Sequence, residues 1–327
     1  MKTVAILMPE RFFTSGVTGI LDVLNIANRL LAKESAAVFS WRLHSETGAP
    51  TTSSTGLVLP ANGSYDQAAG ADVIIVPGIL YDDVPSFEKL LAAHTALTSR
   101  LRTWHADGRL IAANCTGVAF AAESGILDDQ TATISWWLAT WFQCRYPKVK
   151  LQVHALLVES GNLMCSGATT SYLNLALRLI ERFAGGDIAL RCAQLMLVDM
   201  HRASQAPYTT LQQYTGHNDP MIARCQEWLQ QRLAEPFSLE ALSAAVGTSE
   251  RTLMRRFRMA LSDTPLHYLQ QMRLFTARRL LESSALSLEQ IVAKVGYEDV
   301  SSFRRLFKRE VQCSPGEYRQ RFASGNR

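Results

Sequence analysis

SLEALSAAVGTSERTLMRRF, residues 238–257, returns as SLEQIVAKVGYEDVSSFRRLF at residues 287–307. Ser238, Leu239, Glu240, Val246 and Gly247 recur 49 positions later as Ser287, Leu288, Glu289, Val295 and Gly296. After a one-residue insertion, Phe257, Pro265 and Tyr268 recur as Phe307, Pro315 and Tyr318. An internal repeat is the organising signal to seek before any other. Each unit reads as a helix, a glycine-containing turn and a second helix, the helix-turn-helix pattern, and the glycine tolerates the positive φ of such a turn. Ser287 with Gln290 has the spacing of a capping box. In the second helix of each unit, Leu253 and Phe257, or Phe303 and Phe307, stand at i, i+4 and face a core. Arg251, Arg255 and Arg258 then fall on the outer face of the first, and Arg304, Arg305 and Lys308 on that of the second. Asp219-Pro220 supplies a cap and a proline at the first helical position, and everything beyond has helical period. The spacing predicts an all-α double helix-turn-helix domain over 220–323, with units at about 238–259 and 287–309.

Charge agrees with this. Residues 219–327 carry 17 Lys and Arg against 12 Asp and Glu, a net +5, whereas residues 1–218 carry 16 and 17, a net −1. A guanidinium-rich helix face suits the major groove, where arginine reads guanine in bidentate fashion and lysine or arginine neutralises phosphate. One such helix is equally well read as a solvated face. Two with the same placement point to double-stranded DNA.

The first ~190 residues of the 327 have a different rhythm. Apolar strands are expected at 4–8, 39–44, 73–76, 110–113 and 151–157, and helices at 17–31, 86–106, 116–124 and 187–202. Continuous apolar runs such as VIIV and LIAA mark parallel strands covered on both faces, hence an α/β domain over 1–202. The polar stretch 203–219 reads as a linker. Within LIAANCTGVAFAAESGIL, residues 110–127, a buried strand runs through Asn114-Cys115-Thr116-Gly117 into a small-residue helix. That is the geometry of a nucleophile elbow, where backbone N–H groups and the helix dipole favour a Cys115 thiolate. ADVIIVPGI, residues 71–79, ends a second strand at Pro77-Gly78, a place for close backbone approach.

The carboxy-terminal motifs, together with TPLHYLQQMRLFTARRLL and CSPGEYR, resemble the AraC/XylS transcription regulators. The resemblance implies two helix-turn-helix units on a rigid linking helix at about 265–281, reading adjacent major-groove segments. It places base and backbone contacts at Arg251, Thr252, Met254 and Arg255, and at Val300, Ser301, Ser302, Arg304 and Arg305. The glycine common after each second helix is replaced by Ser262 and Gln312. The amino-terminal motifs resemble the PfpI/class I glutamine-amidotransferase-like fold, a flavodoxin-like sheet with a cysteine elbow. RFFTSGVTGILDVLNIAN, TATISWW and SGATTSYLNLALRLI extend the likeness, so the whole chain resembles the GlxA subfamily of AraC regulators. That implies a homodimer responding to a small effector, with nitrogenous metabolites common in the subfamily, and RNA polymerase as a partner if it activates.

A cysteine hydrolase needs a base beside its thiol. The chain has Ser135-Trp136 where the family often places a histidine before the tryptophan, Asn174 where aspartate is common, and Thr14-Ser15-Gly16 where catalytic relatives carry a carboxylate. Nothing in the sequence puts His154 near Cys115. The expectation is therefore a regulator and not an enzyme. The candidate effector pocket is Gly78, Cys115, Thr116, Ser135 and Trp136, and the aromatic cluster Trp136, Trp137, Trp141 and Phe142 reads as a pocket wall or as packing. A cysteine-dependent amidase or glyoxalase-like enzyme, or a Cys115 redox sensor, is the alternative. The six cysteines lie 21 or more residues apart with no Cys/His ligand spacing, so neither a metal nor a cofactor is expected. No apolar run approaches the ~18–20 residues of a membrane span, and the amino terminus lacks a signal-peptide h-region. A cytoplasmic, nucleoid-associated protein is expected.

Overall fold

The computed structural model describes residues 1–32, 38–200, 202–214, 217, 219–261 and 263–323. It separates into two compact units, Met1–Gln205 and Ala206–Arg327. The first is built on a seven-stranded sheet in the order Leu157–Ser160, Leu163–Ser166, Leu110–Asn114, Val73–Val76, Lys2–Leu7, Phe39–Ser45, Gly63–Ser64. Every pairing is parallel except that of the first two strands, a hairpin. Val73–Val76 and Leu110–Asn114 are buried along their whole length, as apolar runs without alternation require. The order in which strands are added switches sides at Lys2–Leu7, which pairs with Phe39–Ser45 on one side and Val73–Val76 on the other.

Three expected elements differ. The 151–157 strand is replaced by Lys150–Leu151, paired only with Thr131–Ala132, and the main sheet is rejoined at Leu157–Ser160. Between them the Val153 carbonyl accepts a hydrogen bond from the buried Gln205 side chain and that of His154 from its backbone N–H, in place of a ladder. The 86–106 helix is two, Val84–Ala93 and Thr95–Ala106, broken at His94. The last helix of the unit, Gly186–Met196, ends where Leu197 turns left-handed at φ +53°. The stretch expected as a linker, 203–219, is divided between the two units among its described residues. Gln205 is buried in the first unit, whereas the short turns Ala206–Tyr208 and Leu211–Tyr214 lie in the second.

The second unit is helical, with two small cores. Ile222, Leu229, Leu242, Leu253 and Phe257 fill one, and Ile291, Val292, Phe303, Phe307 and Val311 the other. The helix Pro265–Ser283 contributes to both, with Leu269 and Met272 in the first and Leu274, Ala277 and Leu281 in the second. Asp219 caps Pro220–Gln231 by accepting from the N–H groups of Met221 and Ile222, and its carboxylate also pairs with Arg256. At the start of the linking helix, Asp263 accepts from the Tyr214 hydroxyl at 2.8 Å and binds His267 Nδ1 at 2.7 Å. Among the described residues no helix is long and apolar enough to cross a membrane.

The turn glycines carry unequal loads. Gly247 at φ +70° faces open space, whereas a Cβ on Gly296 at φ +78° would stand 2.5 Å from the Ala234 carbonyl oxygen. Gly247→Ala should cost about 1–2 kcal/mol of stability through φ alone. Gly296→Ala should cost clearly more, because backbone must move as well. Equal losses in chemical denaturation would contradict this contact.

The hydrogen bond to Asp263 raises the pKa of His267 above its ordinary 6.5, against burial that lowers it; Glu310 adds to the rise and Arg309 opposes it. A raised histidine contributes stability that is complete below about pH 6.5 and is lost as pH climbs through the folded-state pKa. The loss of melting temperature caused by His267→Asn should therefore be larger at about pH 6 than at about pH 9. A loss independent of pH would count against the charged pair.

Candidate nucleic-acid interface and cysteine elbow

Ser238 caps Leu239–Ala245, and Ser287 with Gln290 forms the capping box of Leu288–Lys294. After each glycine turn the second helix follows, Glu250–Leu261 in one unit and Val300–Val311 in the other. Leu253, Phe257 and Leu261 are buried on the first, and Phe303, Leu306, Phe307 and Val311 on the second. Burial of those seams decides what faces water. Arg251, Arg255, Arg258, Ser301, Ser302, Arg304, Arg305 and Lys308 are exposed, with Thr252, Met254 and Val300 half-buried beside them. Asp299 accepts from the N–H groups of Ser301 and Ser302, which presents those serines on the first turn of their helix. The Ser302 hydroxyl accepts from Arg305 at 2.7 Å, and Arg255 leans on the Met259 sulfur. Arg304 and Lys308 also border a cavity of about 380 Å³ shared with Arg319 and Ser314, so cations gather along this edge.

Two arginines missed in the sequence hold this arrangement. Arg256, between the exposed Arg255 and Phe257, is engaged by Asp219. Arg273 is buried on the linking helix, donating to the carbonyls of Leu233 at 2.8 Å and Glu235 at 2.6 Å, and its guanidinium lies over the Tyr297 ring. It thus ties the segment after the first helix of the unit to the turn of the second repeat. The only sequence signal was an arginine flanked by Leu269, Met272, Leu274 and Ala277. Gln312 occupies the left-handed position, φ +62°, where a glycine was expected, and its amide bonds the Arg309 carbonyl. Ser262 lies outside the described residues.

In the first unit Cys115 sits at φ +56°, fully buried, immediately after the strand Leu110–Asn114. Its N–H donates to the Ser166 carbonyl at 2.8 Å. The Thr116 hydroxyl donates to the Ile79 carbonyl and accepts from the Ile79 N–H at 2.6 Å, pinning the elbow to the Pro77-Gly78 strand end. A Cβ on Gly117 would stand 2.5 Å from the Val76 and Pro77 carbonyls, and one on Gly78 would stand 3.0 Å from Cys115 Cβ. The Ser135 hydroxyl lies 3.0 Å from the Cys115 sulfur. Burial pushes the thiol pKa up, against hydrogen bonds from Ser135, Thr116 and Thr169 that pull it down. Those neighbours are hydroxyls and backbone, not bases. Asn174 bonds the Asp199 carbonyl, and Thr14 bonds Thr55. Trp136 packs edge-on against Trp137, Trp137 donates to Tyr81, and Trp141 donates to Glu88. Gly78, Cys115, Thr116, Ser135 and Trp136 are thus brought together and closely packed, all buried. Among the described residues no cluster of three His, Cys, Asp or Glu could hold a metal ion.

Residues 242–321 match the family described as helix-turn-helix domain. Over 94% of this chain and 88% of its own length, the HTH-type transcriptional regulator CdhR of Pseudomonas aeruginosa is 27% identical. The HTH-type transcriptional regulator GlxA of Rhizobium meliloti is 28% identical over 71% of each chain. Residues 242–321 are thus a helix-turn-helix domain, and the chain as a whole is similar to HTH-type transcriptional regulators. The amino-terminal unit has a flavodoxin-like fold similar to that of DJ-1 proteins. Drosophila melanogaster DJ-1beta superposes with a TM-score of 0.50 at 19% identity, covering 61% of this chain and 98% of that one.

The elbow's burial has a direct chemical consequence. Under native conditions a thiol-alkylating reagent should modify the exposed Cys144 and spare Cys115 and Cys165, both buried with thiol pKa values raised by burial. Mass mapping of the labelled peptides measures this. Early labelling of Cys115 would mean that the elbow opens.

Proposed function

We propose that the protein is a sequence-specific DNA-binding transcriptional regulator whose amino-terminal unit receives a small-molecule effector. The observation that carries this reading is the matched pair of helices, each with a buried apolar seam and an exposed guanidinium face, joined by one continuous helix. Such a pair reads two major-groove segments, and a homodimer would double the site. If it activates, RNA polymerase is a further partner. An enzymatic role has less support, since the hydrogen-bond partners of the buried Cys115 include no base.

Space for an effector in the amino-terminal unit lies beside the first two strands of the sheet. A cavity of about 330 Å³ opens at the carboxyl ends of Lys2–Leu7 and Phe39–Ser45, where open α/β sheets bind ligands. Glu10, Glu46, Tyr65 and His94 border it, and the buried Tyr65 hydroxyl has no hydrogen-bond partner. These acceptors suit a ligand with N–H donors.

Selection of genomic fragments at about 150 mM salt, a condition that suppresses purely electrostatic binding, tests the reading. Wild type should enrich a few fragments sharing a spaced motif. Arg255→Ala or Arg305→Ala should lose about 1–3 kcal/mol of discrimination. Lys308→Ala should instead weaken all sequences alike and flatten the salt dependence by about one unit of slope. Equal losses on specific and random DNA in the arginine variants would remove the base-reading assignment.

A further inference from the structure

A further cavity, of about 260 Å³, is lined wholly by residues of the helical unit. Its walls are Tyr208, Phe275, Tyr318 and Phe322, with Pro207, Thr209 and Thr210 from the segment that opens the unit. The rings pack on one another, Tyr208 edge-on to Phe322 at 5.3 Å and Tyr318 against Phe322 at 4.6 Å. Three charged side chains border it: Arg278, Arg279 and Glu282.

Arg278 is the unusual one. It is 5% exposed, yet among the described residues it forms no ion pair. Its Nη1 donates to the Ala206 carbonyl and the Thr209 hydroxyl, whereas its Nε is buried without an acceptor. Glu282 does not neutralise it at contact distance, and its carboxylate accepts from the Tyr318 hydroxyl at 2.6 Å. The Arg278 guanidinium lies 5.8 Å from the Phe275 ring centre, and Glu282 acts on it only from beyond ion-pair distance. A buried charge with no counter-charge at contact is costly, and proteins that keep one ordinarily supply a counter-charge. With Arg279 the cavity carries one excess positive charge. A guanidinium fork matches a planar carboxylate, and the aromatic walls match an apolar body. The volume, about 260 Å³, lies just below the roughly 300–1,000 Å³ of ligand clefts, so the ligand is small.

We propose that this cavity binds a small organic carboxylate, with Arg278 as its anchor and the ring of aromatic side chains around its body. The site is separate from the DNA-reading face and from the amino-terminal cavity, and it stands whether or not the effector reading holds. Tyr318, one of its walls, also packs on Phe307 of the second recognition helix at 5.7 Å. An occupant therefore touches a support of that helix.

Calorimetric titration of the full chain with sodium benzoate tests it, with ionic strength held constant by sodium chloride and sodium phosphate as a second probe. Wild type should bind benzoate saturably. Arg278→Met should weaken binding about tenfold or more, while melting at or near the wild-type temperature because it removes a buried charge that has no ion pair at contact. Thr210→Phe, which fills the mouth and leaves the guanidinium intact, should abolish binding. If Arg278→Met fails to fold, Thr210→Phe decides the matter alone. Absence of saturable benzoate binding by folded wild type, or unchanged affinity in Thr210→Phe, overturns the proposal. Phosphate binding as tightly as benzoate overturns the carboxylate assignment in favour of a bare anion site.

Discussion

The helical unit depends on one shared element, the burial of a single helix in two cores. Neither helix-turn-helix repeat has enough apolar side chains to stand alone, since domains of such size bury too small a share of their surface. Pro265–Ser283 solves this by giving Leu269 and Met272 to one core and Leu274, Ala277 and Leu281 to the other. The two recognition helices are thereby referred to a common axis. Once Leu253 and Phe257 are buried on one and Phe303 and Phe307 on the other, Arg255, Arg304 and Arg305 face outward, while Arg256 turns to Asp219.

Polar contacts refine what burial sets. Arg273 donates to the carbonyls of Leu233 and Glu235 from inside the linking helix, and Gly296 lets the second turn approach Ala234. Both act where the repeats meet. Asp219 serves twice, as the cap of one helix and the partner of Arg256 on another. Such contacts add about 1–3 kcal/mol each where charged groups are involved, and they select one arrangement among several that hydrophobic burial would allow.

The elbow illustrates how the same local geometry yields different chemistry in different surroundings. A left-handed cysteine between strand and helix is the arrangement that activates nucleophiles, yet here burial among Ser135, Thr116 and Gly78 drives the thiol toward its neutral form. The helix dipole alone does not overcome desolvation.

Much of this was legible in the chain. The repeat located both helix-turn-helix units, because helical period and i, i+4 seams are local properties that spacing records directly. VIIV and LIAA located two sheet strands for the same reason. The 151–157 strand was misread because the carbonyls of Val153 and His154 are satisfied by Gln205, some fifty residues away, through hydrogen bonds that no local pattern encodes. Sequence by itself determined which residues face outward on the recognition helices and which strands are covered on both sides. Only the tertiary structure decided that Cys115 is sealed, that Arg256 and Arg273 are structural, and that Arg278 is buried without a counter-ion. Those outcomes depend on which distant groups meet, and desolvation is a property of the whole enclosure.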